Sequence, residues 1–341
     1  MIKPRVLFRA DASHELGFGH VARIAALIEE CEAHHIEPVP LFGGDVTAVK
    51  AWTRDHDISA DIRDWSATQV AQAAEHPRVR AVVVDGPALA PSIIAKLPDR
   101  VHAVLVDDAG KCALTLASVI NHNIHAPTLA SSYPCAKQRL LGRRYLMLRK
   151  DIRRHTRGSC RPTAGARLRV VVTFGGSDPV GGTVRTLQLL PPATERALEL
   201  VVIAGPGFRD HEALRTAAAA VTDAGHTVDI RRAPDDPGAL FVSADAAISS
   251  AGGTLGELAY LGCPALAYAI AKDQVLPVRQ QVREGLVAGG RSWEELDEAT
   301  LRSDLLSFIL DDAGRMQQRQ RALSTADSDG ARRVIEEALA A

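Results

Sequence analysis

Ser250-Ala251-Gly252-Gly253-Thr254-Leu255-Gly256-Glu257-Leu258 follows an apolar run over residues 244–249. That order of residues reads as a short buried strand, a glycine-rich turn and an immediate helix. Such a turn aims unpaired backbone N–H groups and the positive end of a helix dipole at one point, where anions and above all phosphates bind. Thr173-Phe174-Gly175-Gly176-Ser177-Asp178-Pro179 repeats the device, and Leu16-Gly17-Phe18-Gly19-His20 varies it. Three glycine turns, one in the first half and two in the second, predict a nucleotide-containing ligand held in a cleft between two lobes.

The runs at 79–85 and 102–107 are nearly continuous Val, Ala and Leu, and each closes on aspartate. Strands apolar on both faces are covered by helices above and below, which means a parallel sheet. Further strands are expected over 5–9, 37–41 and 117–121, with a helix over 20–31 that places Val21, Ile24, Leu27 and Ile28 on one face. A polar, basic stretch without apolar period then intervenes, and the alternation restarts. Strands are expected over 168–173, 198–203, 228–232, 246–249 and 265–269, helices over 181–190 and 209–224, and a helical close from 311. The predicted fold class is α/β, two Rossmann-like parallel-sheet domains facing across a cleft. Residues 1–150 are expected to form the first domain and 151–167 the linker. Residues 168–325 form the nucleotide-binding domain, and 326–341 the closing helix.

The chain has 341 residues, 46% hydrophobic and 24% charged, with a net charge of −1. These are the proportions of a soluble globular protein large enough for two cores. A near-zero charge supplies no field for nucleic acid or anionic membranes, so phosphate binding is expected to be local. No apolar segment approaches the ~18 residues of a spanning helix. Met1-Ile2-Lys3-Pro4-Arg5 enters a strand with no signal-peptide core before it. Cys31, Cys112, Cys135, Cys160 and Cys263 form no CxxC pair. Scattered cysteines of this kind read as reduced, so a cytoplasmic protein without a membrane segment is expected.

Gly17-Phe18-Gly19-His20-Val21-Ala22 matches the G-x-G-x-x-A dinucleotide fingerprint in letters only. Asp11-Ala12-Ser13-His14-Glu15-Leu16 separates it from the strand, and Glu37 precedes the second strand instead of ending it, so NAD binding is not expected. His20 falls in the first turn of a helix, where the dipole lowers an imidazole pKa and keeps the ring neutral near pH 7. A neutral imidazole facing a ligand acts as general base. The plainer reading is a histidine that caps or packs the turn, but Gly17 and Gly19 on either side of Phe18 let a ligand approach closely. Arg23 shares a face with His20 and can reach a phosphate or sugar oxygen, against the alternative of a solvated arginine. Asp85, Asp107 and Asp108 close strands at the edge where open α/β sheets bind ligands. Sugar-hydroxyl recognition or turn capping suits them better than a divalent metal, which wants more oxygen ligands. The i,i+3 pair His122 and His125 in a polar loop is a weak zinc signature.

In the second half, the amides of Gly175 and Gly176 and the Ser177 hydroxyl can meet a diphosphate, as can Ser250, Ala251, Gly252, Gly253 and Thr254. Glu257 follows in the first helical turn, placed to accept ribose hydroxyls or simply to complement the dipole. Asp273-Gln274 is expected to end the next strand on the ligand edge. Residues 231–238 read as a loop that could grip a base through its backbone.

Taken together, Arg9-Ala10-Asp11, Gly17-x-Gly19-His20-x-x-Arg23, Val84-Asp85, Val106-Asp107-Asp108, Ile120-Asn121, Leu140-Leu141-Gly142-x-x-Tyr145-x-x-Leu148-Arg149, Phe174-Gly175-Gly176-Ser177-Asp178-Pro179 and the 250–258 stretch span nearly the whole chain in order. The set resembles the UDP-sugar hydrolases of the pseudaminic acid pathway and the related spore-coat polysaccharide proteins. That resemblance implies a GT-B architecture, similar in its C-terminal half to the peptidoglycan N-acetylglucosaminyl transferase. It implies cleavage of the anomeric C–O bond of a UDP-sugar, without metal or other cofactor, with water attacking and configuration inverting. His20 would be the water-activating base, with Asp11 and Asp273 in the catalytic set. Gly17, Gly19, Arg23, Asp85, Asp107, Asp108, Tyr145 and Gln274 would lie on the substrate side, and the second-half glycine turns with Glu257 would hold UDP.

Two positions depart from the hydrolase pattern. Pro87 stands where the family has tyrosine, and Asp273 where it has asparagine. These changes motivate an alternative, an inverting glycosyltransferase that moves the sugar to a small acceptor. A carboxylate at Asp273 near the anomeric carbon would favour an oxocarbenium-like state, or bind a cationic amino-sugar or amine acceptor. A third reading, a nucleotide-sugar binding module without turnover, leaves His20 between its glycines unexplained.

Overall fold

Alternate residues of strand β1 (Arg5–Ala12) point into two different apolar layers, which fixes the architecture of the first half. Val6, Phe8 and Ala10 pack with Val21 and Ile24 of the helix Gly19–Ala33. Leu7 packs on the other side, with Val70, Val82, Val84 and Ile93. Each such side chain removed from water contributes roughly 1.5–3 kcal/mol, so both faces of the strand drive it inside. The computed structural model describes residues 2–86, 88–108, 110, 117–160, 167–190, 194, 196–325 and 327–339.

Two units are present, Met1–Lys150 with Asp327–Ala341, and Asp151–Ala326. In the first, β1 lies between β2 (Glu37–Gly44) and β4 (Val79–Asp85). Beyond β2 comes β3 (Asp61–Ile62), and beyond β4 come β5 (His102–Val106), β6 (Ala117–Asn121) and β7 (Gln138–Leu141). All these pairings are parallel. In the second, β8 (Arg167–Thr173) lies between β9 (Ala197–Ala204), outside which runs β10 (Thr227–Arg232), and β11 (Ala246–Ser250). The other side continues with β12 (Ala265–Ala269) and β13 (Ala288–Ser292), again all parallel. Both sheets therefore carry the doubly wound order in which the winding reverses beside the first strand, at β1/β4 and at β8/β11. Ligands bind outside the carboxyl ends of strands at such reversals.

Several boundaries differ from the sequence reading. β1 runs three residues past Arg9, because Ala10, Asp11 and Ala12 continue in register with Phe42, Gly43 and Gly44 of β2. Within the expected linker, the N–H groups of Gly158 and Cys160 donate to the carbonyls of Tyr260 and Leu261 (3.1 and 3.0 Å), inside the second unit; residues 161–166 lie outside the described residues. The helical close is two helices, Asp312–Thr325 in the second unit and Gly330–Leu339 in the first. Ala331, Val334 and Ile335 join the apolar cluster around Val21 and Ile24. Among the described residues, no helix is long and apolar enough to cross a membrane.

Candidate active site

The winding reversal of the first sheet brings His20, from the turn after β1, to Asp85 at the end of β4. His20 Nδ1 lies 2.6 Å from Asp85 Oδ1, and since a carboxylate only accepts, the Nδ1–H donates. Arg23, one turn along the helix, grips the same carboxylate with both edges of its fork. Its Nε donates to Oδ2 at 2.9 Å and its Nη2 to Oδ1 at 2.8 Å. The remaining arm, Nη1, donates to Asp108 Oδ2. Asn123 Nδ2 donates to the other Asp108 oxygen at 3.0 Å. The 3.0 Å approach of Arg23 Nη2 to His20 Nδ1 sets two donors side by side, and the carboxylate they share holds them there.

The sequence reading of a dipole-neutralised His20 is overturned by this pairing. Attraction to Asp85 raises the pKa of His20 above its ordinary value, outweighing burial and the Arg23 charge. Burial alone would push Asp85 up, but Arg23 and His20 hold it below the usual carboxylate range. Asp108 is held down in the same way against its burial, by Arg23 above all. The Asp85 side chain is fully buried, whereas that of His20 keeps a quarter of its exposure. A histidine oriented by a buried carboxylate through Nδ1, with Nε2 meeting no partner among the described residues, is the arrangement in which an imidazole takes a proton from a nucleophile.

The other first-unit candidates fall into distinct surroundings. Gly17 has φ +74° and pairs with Ser13 in a tight bridge, so its glycine is conformational. A Cβ at Gly19 would meet nothing. Asp11 is ion-paired with the buried Arg9. Tyr145 is buried, and its hydroxyl donates to Glu337 Oε2 at 2.8 Å in the last helix. The Asp107 carbonyl accepts from Tyr133 Oη, and its side chain is buried. Burial pushes His122 down to about 4 and lowers His125 as well, and the Nδ1 atom of each is buried without a hydrogen-bond partner among the described residues. Among the described residues, no group of three His, Cys, Asp or Glu side chains is placed to hold a metal. Pro87 lies outside the described residues. Asn123 escaped the sequence reading; its one signal was its position two residues past a strand end.

In the second unit the two glycine turns adjoin. A Cβ built on Gly175 (φ +80°) would stand 3.6 Å from Ser250 Oγ, and one on Gly252 would stand 3.7 Å from Gln274 Nε2. Gly205 presses on Gly176, whose backbone a Cβ at 205 would meet at 2.5 Å. Ser177 is buried. The helix after this first turn, Gly182–Leu189, does not offer its leading amides to a ligand. Asp178 Oδ1 and Oδ2 accept from the N–H groups of Gly182 (2.7 Å) and Thr183 (2.8 Å), which corrects the expectation that both helix N-termini are open. Burial raises the pKa of that capping carboxyl. The second turn is different. Ala251 N–H is taken by Tyr268 O, but among the described residues no acceptor meets the amides of Gly252, Gly253 or Thr254, and the helix Thr254–Leu261 has no side-chain cap. Gly253 has ordinary helical φ and nothing within reach of a Cβ, so the protein's own packing does not require glycine there. Glu257 lies in the first turn of this helix.

Asp273 and Gln274 do not end a strand. β12 stops at Ala269, and both residues sit in the first turn of the helix Lys272–Arg283, where Gln274 Oε1 accepts from Ile270 N–H at 3.0 Å. Of residues 231–238, Arg231 and Arg232 finish β10, and Asp236 caps the helix Pro237–Val242 while pairing with His155 and Arg154.

No protein-family profile matches the chain, and no curated protein matches it. Solved structures do. MurG of Acinetobacter baumannii superposes with a TM-score of 0.71 at 15% identity, covering 99% of this chain and 100% of that one. UDP-GlcNAc 2-epimerase of Neisseria meningitidis, solved with UDP-GlcNAc bound, gives 0.62 at 13% identity, covering 99% and 100%. A UDP-glucosyltransferase of Polygonum tinctorium capable of glucosylating indoxyl gives 0.60 at 12% identity, covering 98% of each. At these identities the likeness is one of fold, and the fold is the two-domain, parallel-sheet α/β architecture of the GT-B type.

Proposed function

We propose that the protein is an enzyme that binds a UDP-linked sugar and breaks its anomeric C–O bond with inversion, handing the sugar to a small acceptor. The observation that carries this reading is the His20–Asp85 pair at 2.6 Å, with Nε2 left to meet a nucleophile. In the step, the acceptor O–H or N–H gives its proton to His20 Nε2 as its heteroatom bonds to the anomeric carbon. The bond from that carbon to the diphosphate oxygen breaks, and its electron pair leaves with UDP. The diphosphate charge would be met by the open amides of Gly252, Gly253 and Thr254, with Ser250 and the Gly175–Ser177 turn beside them. Each well-aimed donor of this kind is worth roughly 3 kcal/mol in the transition state. Glu257 would accept the ribose hydroxyls, and Asp273 and Gln274 would face the sugar or acceptor. Two of the fold neighbours, an epimerase with UDP-GlcNAc and a UDP-glucosyltransferase, act on or bind UDP-sugars and support the nucleotide assignment.

Water as the nucleophile is the second reading, supported by the ordered motifs shared with the UDP-sugar hydrolases. The same machinery serves both, and exclusion of water decides between them. Incubation with UDP-GlcNAc in 18O-water, followed by mass spectrometry, tests the proposal. UDP release that depends on an added acceptor supports transfer, and 18O-labelled free sugar supports hydrolysis. Failure to bind UDP would overturn both.

A further inference from the structure

Asp108 stands at the carboxyl end of β5, and the sequence reading gave it a sugar hydroxyl to bind. Its surroundings assign it otherwise. Both of its oxygens are already engaged, Oδ2 by Arg23 Nη1 and Oδ1 by Asn123 Nδ2. Asn123 is itself held, since its N–H and Nδ2 both donate to Asn121 Oδ1 at 3.1 Å. Asn121 is fully buried and donates to Tyr133 Oη, which donates to the Asp107 carbonyl. A chain of bonds, part-buried at Asp108 and Asn123 and buried from Asn121 inward, thus anchors Asp108 to the frame of β5 and β6. Its consequence falls on Arg23, whose guanidinium is planar and can grip Asp85 with two donors in only one orientation.

We propose that Asp108 is a positioning residue: it meets no substrate atom but pins Arg23, so that Arg23 holds both oxygens of Asp85 and Asp85 in turn keeps the His20 proton on Nδ1. Three donors on one carboxylate, from His20 Nδ1, Arg23 Nε and Arg23 Nη2, leave Asp85 little freedom to rotate away. The His20 ring is then fixed in the Nδ1–H tautomer, with the lone pair on Nε2. Among the described residues, the charged and titratable groups that face His20 are Asp85 from β4, Arg23 from its own helix and Asp108 from the segment just after β5. Asp108 is faced in turn by Arg23, His20 and His122, from the loop after β6. Loss of the Asp108 charge acts on His20 in the downward direction, because Asp108 raises it and Arg23 lowers it.

The imidazole nitrogens of His20, followed by 15N NMR across a pH titration of the full ligand-free chain, read this lock directly. Assignment comes from His20→Gln. In the wild type, Nδ1 carries the proton above the midpoint. In Asp108→Asn the midpoint falls, by less than the loss of Asp85 would bring, and the Nε2–H tautomer becomes populated. Arg23→Lys keeps the charge and loses the fork, so the tautomers mix while the midpoint holds; this variant also serves if Asp108→Asn does not fold. His20 with an unchanged tautomer in either folded variant would overturn the proposal. So would a weaker affinity of Asp108→Asn for UDP-GlcNAc than for UDP with His20 titrating as before, since that is the signature of a hydroxyl-binding residue. The inference deepens the reading of His20 as base, but the NMR result does not depend on turnover. If the lock is seen and His20→Gln releases UDP as fast as wild type, the proposed function fails alone. If both hold, Asp108→Asn lowers kcat roughly 10- to 100-fold with KM little changed.

Discussion

His20 and Asp85, 65 positions apart in the chain, meet through a 2.6 Å contact between Nδ1 and Oδ1, and this pair determines the charge of the candidate base. A carboxylate that raises an imidazole pKa strengthens it as a base but keeps it protonated to higher pH. The rate of UDP release should therefore rise with pH through a midpoint above the ordinary histidine value of 6.5. Asp85→Asn should move that limb to lower pH and cut the plateau rate by roughly 10²–10⁴. The same substitution leaves Arg23 with one carboxylate in place of two, and should cost about 3–5 kcal/mol of stability at neutral pH. A pH–rate profile and urea unfolding of the variant check both.

At the second glycine turn, folding and binding can be separated. Gly253 has helical φ and open space around its Cβ position, so Gly253→Ala should leave the melting temperature unchanged or slightly raised. A methyl beside the open amides should weaken UDP binding by at least about tenfold, or ~1.4 kcal/mol. Glu257→Ala should likewise lower UDP affinity with the fold intact. Calorimetric titration with UDP, paired with thermal melts, decides; full UDP affinity in Gly253→Ala would move the diphosphate elsewhere.

His122 is buried neutral, its pKa pressed from 6.5 to about 4 by burial. Between those values the unfolded chain binds a proton that the folded chain does not. Stability present above about pH 6.5 is therefore lost as pH falls toward 4, by on the order of 3 kcal/mol for this residue. His125 is lowered as well and adds to the slope. His122→Asn should flatten the dependence of unfolding free energy on pH in that window, measured by urea titration at several pH values.

Gly330 opens the last helix against backbone. A Cβ there would stand 2.0 Å from the Leu146 carbonyl oxygen, and neither side is a flexible side-chain end. Gly330→Ala should destabilise the first unit by roughly 1–3 kcal/mol, detected as faster hydrogen exchange in the helix Gly19–Ala33 on which Ala331 and Val334 pack.

The sheets were legible in the sequence wherever a strand is buried on both faces, as at 79–85 and 246–249, because nothing but an apolar run can occupy such a place. Three edge strands were not. β3 is two residues long, β7 reads Gln-Arg-Leu-Leu, and β13 reads Ala-Gly-Gly-Arg-Ser. The last looks like a turn, yet Gly289 has φ +83° and a Cβ there would meet Ala267 O at 2.6 Å; close passage of a neighbouring strand demands the glycine. The candidate site was legible as a set of residue types at strand ends, and its pairings were not. Helix position alone says His20 is neutral, and only the fold brings Asp85 to it. Asp273 was misplaced because just two residues, Ile270 and Ala271, separate β12 from the next helix.

The return of Gly330–Leu339 to the first unit has a consequence for synthesis on the ribosome. The apolar patch of Val21 and Ile24 is synthesised well before Ala331, Val334 and Ile335, the residues that cover it. At about 5–20 residues per second, the roughly 180 residues between Lys150 and Gly330 take about 10–40 s to emerge. For that interval the second unit can be complete while the first exposes an oily seam. A nascent chain stalled before residue 330 is thus the form in which a chaperone would find something to hold.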